Sequence, residues 1–196
     1  MGRDIWSEWL LHRRFGGDAR RMQMVLDFLR PIRDKVLHNA RLAEGETVLD
    51  VGCGDGMIGF GALEKIASGT VILSDISQDL LEYVQSLARD IGLLDRCQFV
   101  LAPAEDLSVL DAASVDVVAL RSVLIYVSAK QQAFREFYQA KINTFEGLEQ
   151  HHRQSNRLSA SSIGCSDQVG DYRSLSRSIG LGLLHLINLT CLPGMM

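Results

Sequence analysis

The chain has 196 residues, the length of one domain with a single core, and 47% hydrophobic against 22% charged residues exclude wholesale disorder. Twenty Lys and Arg against 24 Asp and Glu give a formal net charge of −4, which is not the balance of a dedicated nucleic-acid binder, so no nucleic acid is expected as a partner. Four cysteines, at 53, 97, 165 and 191, form no CxxC pair, and neither a disulfide framework nor a metal site is expected. Asp4, Trp6 and Glu8 stand where a secretory leader needs a basic start and an apolar run, so the expected location is cytoplasmic. The charge is also uneven, net +3 over residues 1–45, −10 over 46–116 and +3 over 117–196. The acidic middle disfavours a polyphosphate and accommodates a neutral or cationic small ligand more easily.

The first 45 residues read as a helical cap. Trp6, Trp9 and Leu10 share one helical face, Gly16-Gly17 breaks the pattern, and Asp18 is placed to cap a second helix. That helix carries a stripe of Val25, Leu29, Ile32 and Val36, and Pro31 within it predicts a kink or a fresh start.

From residue 47 the period changes. Thr47–Val51 is a short strand followed at once by Gly52, Gly54 and Gly56, with a helix expected over 57–67. Thr70–Leu73 is a second strand ending in Ser74-Asp75. Ser77 can cap a helix with the face Leu80, Val84, Leu87, Ala88 and Ile91, stopped by Gly92. Cys97–Leu101 and 115–120 are the third and fourth strands, and Ser128 with Gln131 resembles a capping box for a helix to about residue 142. Short apolar strands alternating with helices give an α/β fold of three layers around a mostly parallel sheet. The core is therefore set at 46–142. Residues 143–196 form an atypical tail, first serine-rich and then apolar, without a clean membrane-spanning run, so no stable membrane insertion is expected.

Three glycines alternating after a strand let the backbone turn sharply and approach a ligand with no Cβ in the way. The following helix offers unpaired N–H groups to a phosphate or a carboxylate. Gly54, Gly56 and Gly59 also fit GxGxxG, so a dinucleotide reading and a nicotinamide oxidoreductase stay open, while the absence of GK[ST] excludes the nucleotide-triphosphate loop. Asp75, 21 residues after Gly54, can accept from the two hydroxyls of a ribose. The plainer alternative is that the glycines only make a turn and Asp75 only caps the next helix.

The segment Glu46-Thr-Val-Leu-Asp-Val-Gly-Cys-Gly-Asp-Gly56 resembles the first motif of class I methyltransferases that use S-adenosyl-L-methionine. Ser74–Ser77, Ala102–Leu107, Ser114–Val118 with Arg121–Leu124, and His12–Gly17 resemble further segments of the family in order, so the likeness covers about residues 5–140. The resemblance implies a Rossmann-like sheet and S-adenosyl-L-methionine as cofactor. It places Asp50, Gly52, Cys53, Gly54 and Gly56 around the methionine part and Asp75 on the ribose. Ile76, Ala104 and Glu105 fall around adenine, with Arg121 and Ser122 where the methyl group and the acceptor meet. His12 is a candidate on the acceptor side. A proline at 103, where many relatives have Asp, removes an acceptor for the adenine amino group unless Glu105 replaces it.

Relatives continue with a fifth strand and an antiparallel pair, which the sequence after 142 does not resemble, so the final strands read as missing. This leaves open a catalytically impaired binding protein, or self-association through an uncovered sheet edge or the apolar C-terminus. Methyl transfer is a direct displacement that needs alignment more than a base. A small-molecule acceptor is expected by elimination.

Overall fold

The computed structural model describes residues 4–141 apart from Phe15 and Gly17. The predicted tail, its missing strands and the apolar C-terminus lie outside the described residues. Four strands, β1 (Thr47–Val51), β2 (Thr70–Asp75), β3 (Cys97–Leu101) and β4 (Val117–Leu120), form one parallel sheet in the order β3-β2-β1-β4. The register pairs Val51 with Ser74 and with Leu120, and Asp75 with Leu101, so all four strands finish level at one edge.

Two apolar layers cover the sheet. On one face α5 (Lys130–Lys141) lays Ala133, Phe134, Phe137 and Ala140 over Leu49, Ile72, Val118 and Leu120. On the other face α2 (Ala19–Ala40), α3 (Met57–Leu63) and α4 (Gln78–Asp90) contribute Val36, Leu37, Ala62, Leu81 and Val84 against Val48, Val71 and Leu73. Burial on both faces explains why β1, β2 and β4 read as apolar runs rather than alternating patterns, while the edge strand β3 leaves Gln98 and Leu101 exposed. The fold is the Rossmann-like α/β architecture, with helices preceding the sheet.

Local chemistry sets the boundaries. Asp18 Oδ1 accepts from the N–H groups of Arg20 and Arg21, and α2 then runs unbroken through Pro31. The expected fresh start at Pro31 does not occur, because packing of Leu29, Val36 and Leu37 carries the helix past one lost hydrogen bond. Ser77 caps α4 through Leu80 N–H, and Gly92 (φ 72°) ends it with paired bonds from Gly92 N–H to Arg89 O and Leu93 N–H to Ala88 O. Ile91, placed on the apolar face by spacing, is instead exposed in this final turn. The regular part of α3 stops at Leu63, with one looser turn to Ile66, and β4 begins at Val117, two residues later than expected. The first helical bond of α5 runs from Ala133 N–H to Ala129 O, so Ala129 rather than Ser128 occupies its cap position. The N-terminal segment is α1 (Ile5–Ser7) continued by a wider π turn over Glu8–Arg13 that closes with Arg14 N–H on Trp9 O at 2.8 Å.

Candidate functional site

The strand order reverses between β1 and β4. Beyond the carboxyl ends of a parallel sheet, that reversal opens a crevice. The segments leaving all four strands meet there, and each brings residues singled out by the sequence.

After β1 the backbone turns through Gly52 (φ 63°), Gly54 (φ 56°) and Gly56 (φ 79°). Cys53 N–H bonds to Ser74 O and Gly56 N–H to Cys53 O, both at 2.9 Å, which ties the loop to β2 and to itself. A Cβ on Gly52 would stand 2.5 Å from Val123 Cγ2 in the segment leaving β4. The glycine is thus required by close approach as well as by conformation.

Two carboxylates hold this loop from beneath. Asp50 is 1% exposed, and its Oδ2 accepts from Gly59 N–H at 2.8 Å. Burial pushes its carboxyl up to about 7, against the opposing bond from Gly59, with the nearby Asp75 and Asp55 adding to the rise. Asp75 Oδ2 accepts from Gly54 N–H at 2.9 Å and its Oδ1 from Ser77 N–H at 3.0 Å. Burial raises its pKa as well, partly offset by these bonds. With the adjacent Ile76 N–H also acting on the carboxylate, its lone pairs still leave capacity for a further donor. Cys53 is buried, and burial with the neighbouring Asp50 and Asp75 charges pushes its thiol up, so it lines the loop as a small apolar group.

The segment leaving β3 lies beside Asp75, because Ala102 N–H bonds to Asp75 O at 3.0 Å. Leu107 N–H donates to the buried Glu136 of α5, and Asp106 N–H to Pro103 O, so residues 102–107 are held as a shelf. Ala104 is buried, yet its N–H has no acceptor among the described residues. Ile76, directly after Asp75, is 57% exposed and offers an apolar face at the same edge. Glu105 is half-buried on this shelf.

Arg121 and Ser122 follow β4, and Ser122 takes φ 59°, a left-handed conformation that costs a non-glycine residue of order 1 kcal/mol. The N-terminal segment closes over this edge. Asp4 caps α1 and accepts from Ser77 Oγ at 2.6 Å, Ser7 Oγ donates to Asp79, and Arg14 pairs with Asp55 of the glycine loop at 2.8 Å. Trp6 packs edge-on against Tyr126, with ring centroids 4.7 Å apart. A Cβ on Gly54 would lie 3.2 Å from Leu10 Cδ1.

The structure therefore brings together Asp50, Gly52, Cys53, Gly54, Gly56, Asp75, Ile76, Ala104, Glu105, Arg121 and Ser122 around one edge. His12 belongs to the same N-terminal segment but is exposed there. Arg14, Asp55, Trp6 and Tyr126 were not singled out as a closing set. Only the Asp4-to-Ser7 cap spacing could have hinted at it, because the ion pair joins residues 41 positions apart. Among the described residues no cluster of His, Cys, Asp and Glu fits a metal ion, and no helix is long and apolar enough to cross a membrane.

A family model described as a methyltransferase domain matches residues 42–157. A ribosomal protein arginine N-methyltransferase of Schizosaccharomyces pombe is 34% identical over 86 residues, 44% of this chain. The chain spans only 15% of that relative's length. Among solved structures, a Methanococcus maripaludis protein assigned as an S-adenosyl-L-methionine-dependent methyltransferase superposes with a TM-score of 0.59 at 17% identity, over 83% of each chain. A geranyl diphosphate methyltransferase superposes with a TM-score of 0.55 at 22% identity, over 66% of this chain and 54% of that one. At these identities the solved structures establish the fold.

Proposed function

Since the chain belongs to the methyltransferase-domain family and has the class I fold, we propose that it binds S-adenosyl-L-methionine at the carboxyl edge of its sheet and methylates a small-molecule acceptor. The observation that carries this reading is Asp75: a buried carboxylate, pinned by Gly54 and Ser77, with lone pairs to spare beside a bare glycine turn. The edge fits the cofactor in three further ways. Ile76 exposes an apolar surface suited to a base ring, the buried Ala104 N–H lacks an acceptor among the described residues, and the glycine turn carries no side chain of its own.

When bound, the cofactor would supply an electrophilic methyl group on a sulfonium, which passes to the acceptor nucleophile as the carbon–sulfur bond breaks and S-adenosylhomocysteine leaves. The chain's own residues bind and align. Asp75 accepts from the ribose hydroxyls, Ile76 and Ala104 fix the base, and Gly52 and Gly54 let the amino-acid part lie against the backbone. Asp50 braces the turn from below through Gly59. Leu10, Trp6 and the Arg14–Asp55 pair cover the edge and exclude water, which strengthens every polar contact beneath them. No general base is demanded if the acceptor nucleophile is unprotonated at working pH.

A small acceptor is favoured over a protein arginine by the segment 121–129 that leaves β4. It contains Arg121 and no carboxylate, so a guanidinium acceptor would meet like charge where it needs an anion. The test is incubation of the purified chain with methyl-labelled cofactor and a panel of small acids, amines and phenols. Protein-dependent labelling of one acceptor supports the reading. Absence of cofactor binding removes it.

A further inference from the structure

Arg121 is half-buried at the end of β4, beside the point where the strand order reverses, and it is charged at every ordinary pH. Its guanidinium makes no hydrogen bond and no ion pair within 4 Å among the described residues. The nearby charges are Arg14, Asp55 and Asp50, and burial is the larger influence on Arg121. Neither carboxylate serves as its partner. Asp55 is taken by Arg14 at 2.8 Å, and Asp50 bonds to Gly59 N–H from beneath the loop. A planar fork of five donors held out of bulk water without an acceptor is costly unless a ligand completes it.

Resting on the function proposed above, we infer that Arg121 is the seat for a carboxylate carried in by a ligand. The fork matches a carboxylate bidentately. The carboxylate has two available sources, the amino-acid end of the cofactor and an acidic group on the acceptor. Both place a negative group next to the sulfonium, where an unanswered guanidinium would oppose it.

Calorimetry on the full chain separates the sources, using Arg121→Gln and Arg121→Lys with unchanged circular dichroism. Three probes are titrated: S-adenosylhomocysteine, 5′-methylthioadenosine (which lacks the amino-acid end), and benzoate added to the S-adenosylhomocysteine complex. If the cofactor end sits on Arg121, Arg121→Gln weakens S-adenosylhomocysteine by about ten- to hundredfold and leaves 5′-methylthioadenosine unchanged. If the acceptor sits there, S-adenosylhomocysteine is unchanged and benzoate binding disappears. Arg121→Lys recovers part of either loss, since charge is kept and the fork is not. Equal binding of all three probes by parent and Arg121→Gln overturns the inference while leaving the proposed function intact. Failure of the parent to bind either nucleoside removes that function, and this inference with it.

Discussion

Replacing Asp50 by Asn changes the pH dependence of stability in a direction that the structure dictates. The carboxyl is fully enclosed and pushed from 3.8 up to about 7, so between these values the folded state holds a proton that the unfolded state has released. Stability of the parent must therefore fall as pH rises through that window, by about 1.4 kcal/mol for each pH unit. From pH 5 to 8 the loss amounts to roughly 3 kcal/mol, nearly all of it below pH 7. Asparagine keeps an oxygen for Gly59 N–H but cannot ionise, so its contribution over the same range is flat. Asp75, whose pKa is also raised by burial, slopes the same way in both proteins and cancels in the comparison. Urea unfolding at pH 5, 6, 7 and 8 measures the difference directly. Parallel pH profiles for parent and variant would refute the account of Asp50.

Gly52→Ala forces a Cβ to 2.5 Å from Val123 at φ 63°, and is expected to cost about 2–4 kcal/mol, read as a lowered urea midpoint. Adding Val123→Ala relieves the overlap but not the backbone strain, so rescue is partial. Arg14→Ala leaves Asp55 without its partner and should loosen the N-terminal segment by about 1–3 kcal/mol, seen as faster proteolytic cleavage before residue 18. Phe137→Ala empties a fully buried position between α5 and the sheet and should cost about 3–5 kcal/mol in the same unfolding assay.

The sheet was legible because most of its strands are buried on both faces. Thr47–Val51, buried on both faces, occurs as read, and Cys97–Leu101, an edge strand with Gln98 and Leu101 exposed, also occurs with the bounds read from the sequence. The caps at Asp18 and Ser77 and the stop at Gly92 were equally legible, since each acts on groups within a few residues. Of the two outcomes read at Pro31, the fresh start is absent because tertiary burial of Leu29 and Val36 outweighs a local defect that sequence alone weighs heavily. At the site, the loop glycines and Asp75 were visible because spacing and residue type carry their chemistry. The cover was not. Arg14 meets Asp55, and Trp6 meets Tyr126, only after the chain has folded, and nothing near either residue signals its partner. That the Arg121 fork has no direct partner among the described residues is likewise a fact of three dimensions.

The central claim is that Asp75 and the glycine turn form one seat for an adenosine-bearing ligand, and titration of the parent and Asp75→Asn with S-adenosylhomocysteine tests it most directly. The account predicts saturable binding by the parent, weakened about ten- to hundredfold in a variant that remains folded by circular dichroism. Undiminished affinity in Asp75→Asn, or no binding by the parent at high concentration, would contradict it.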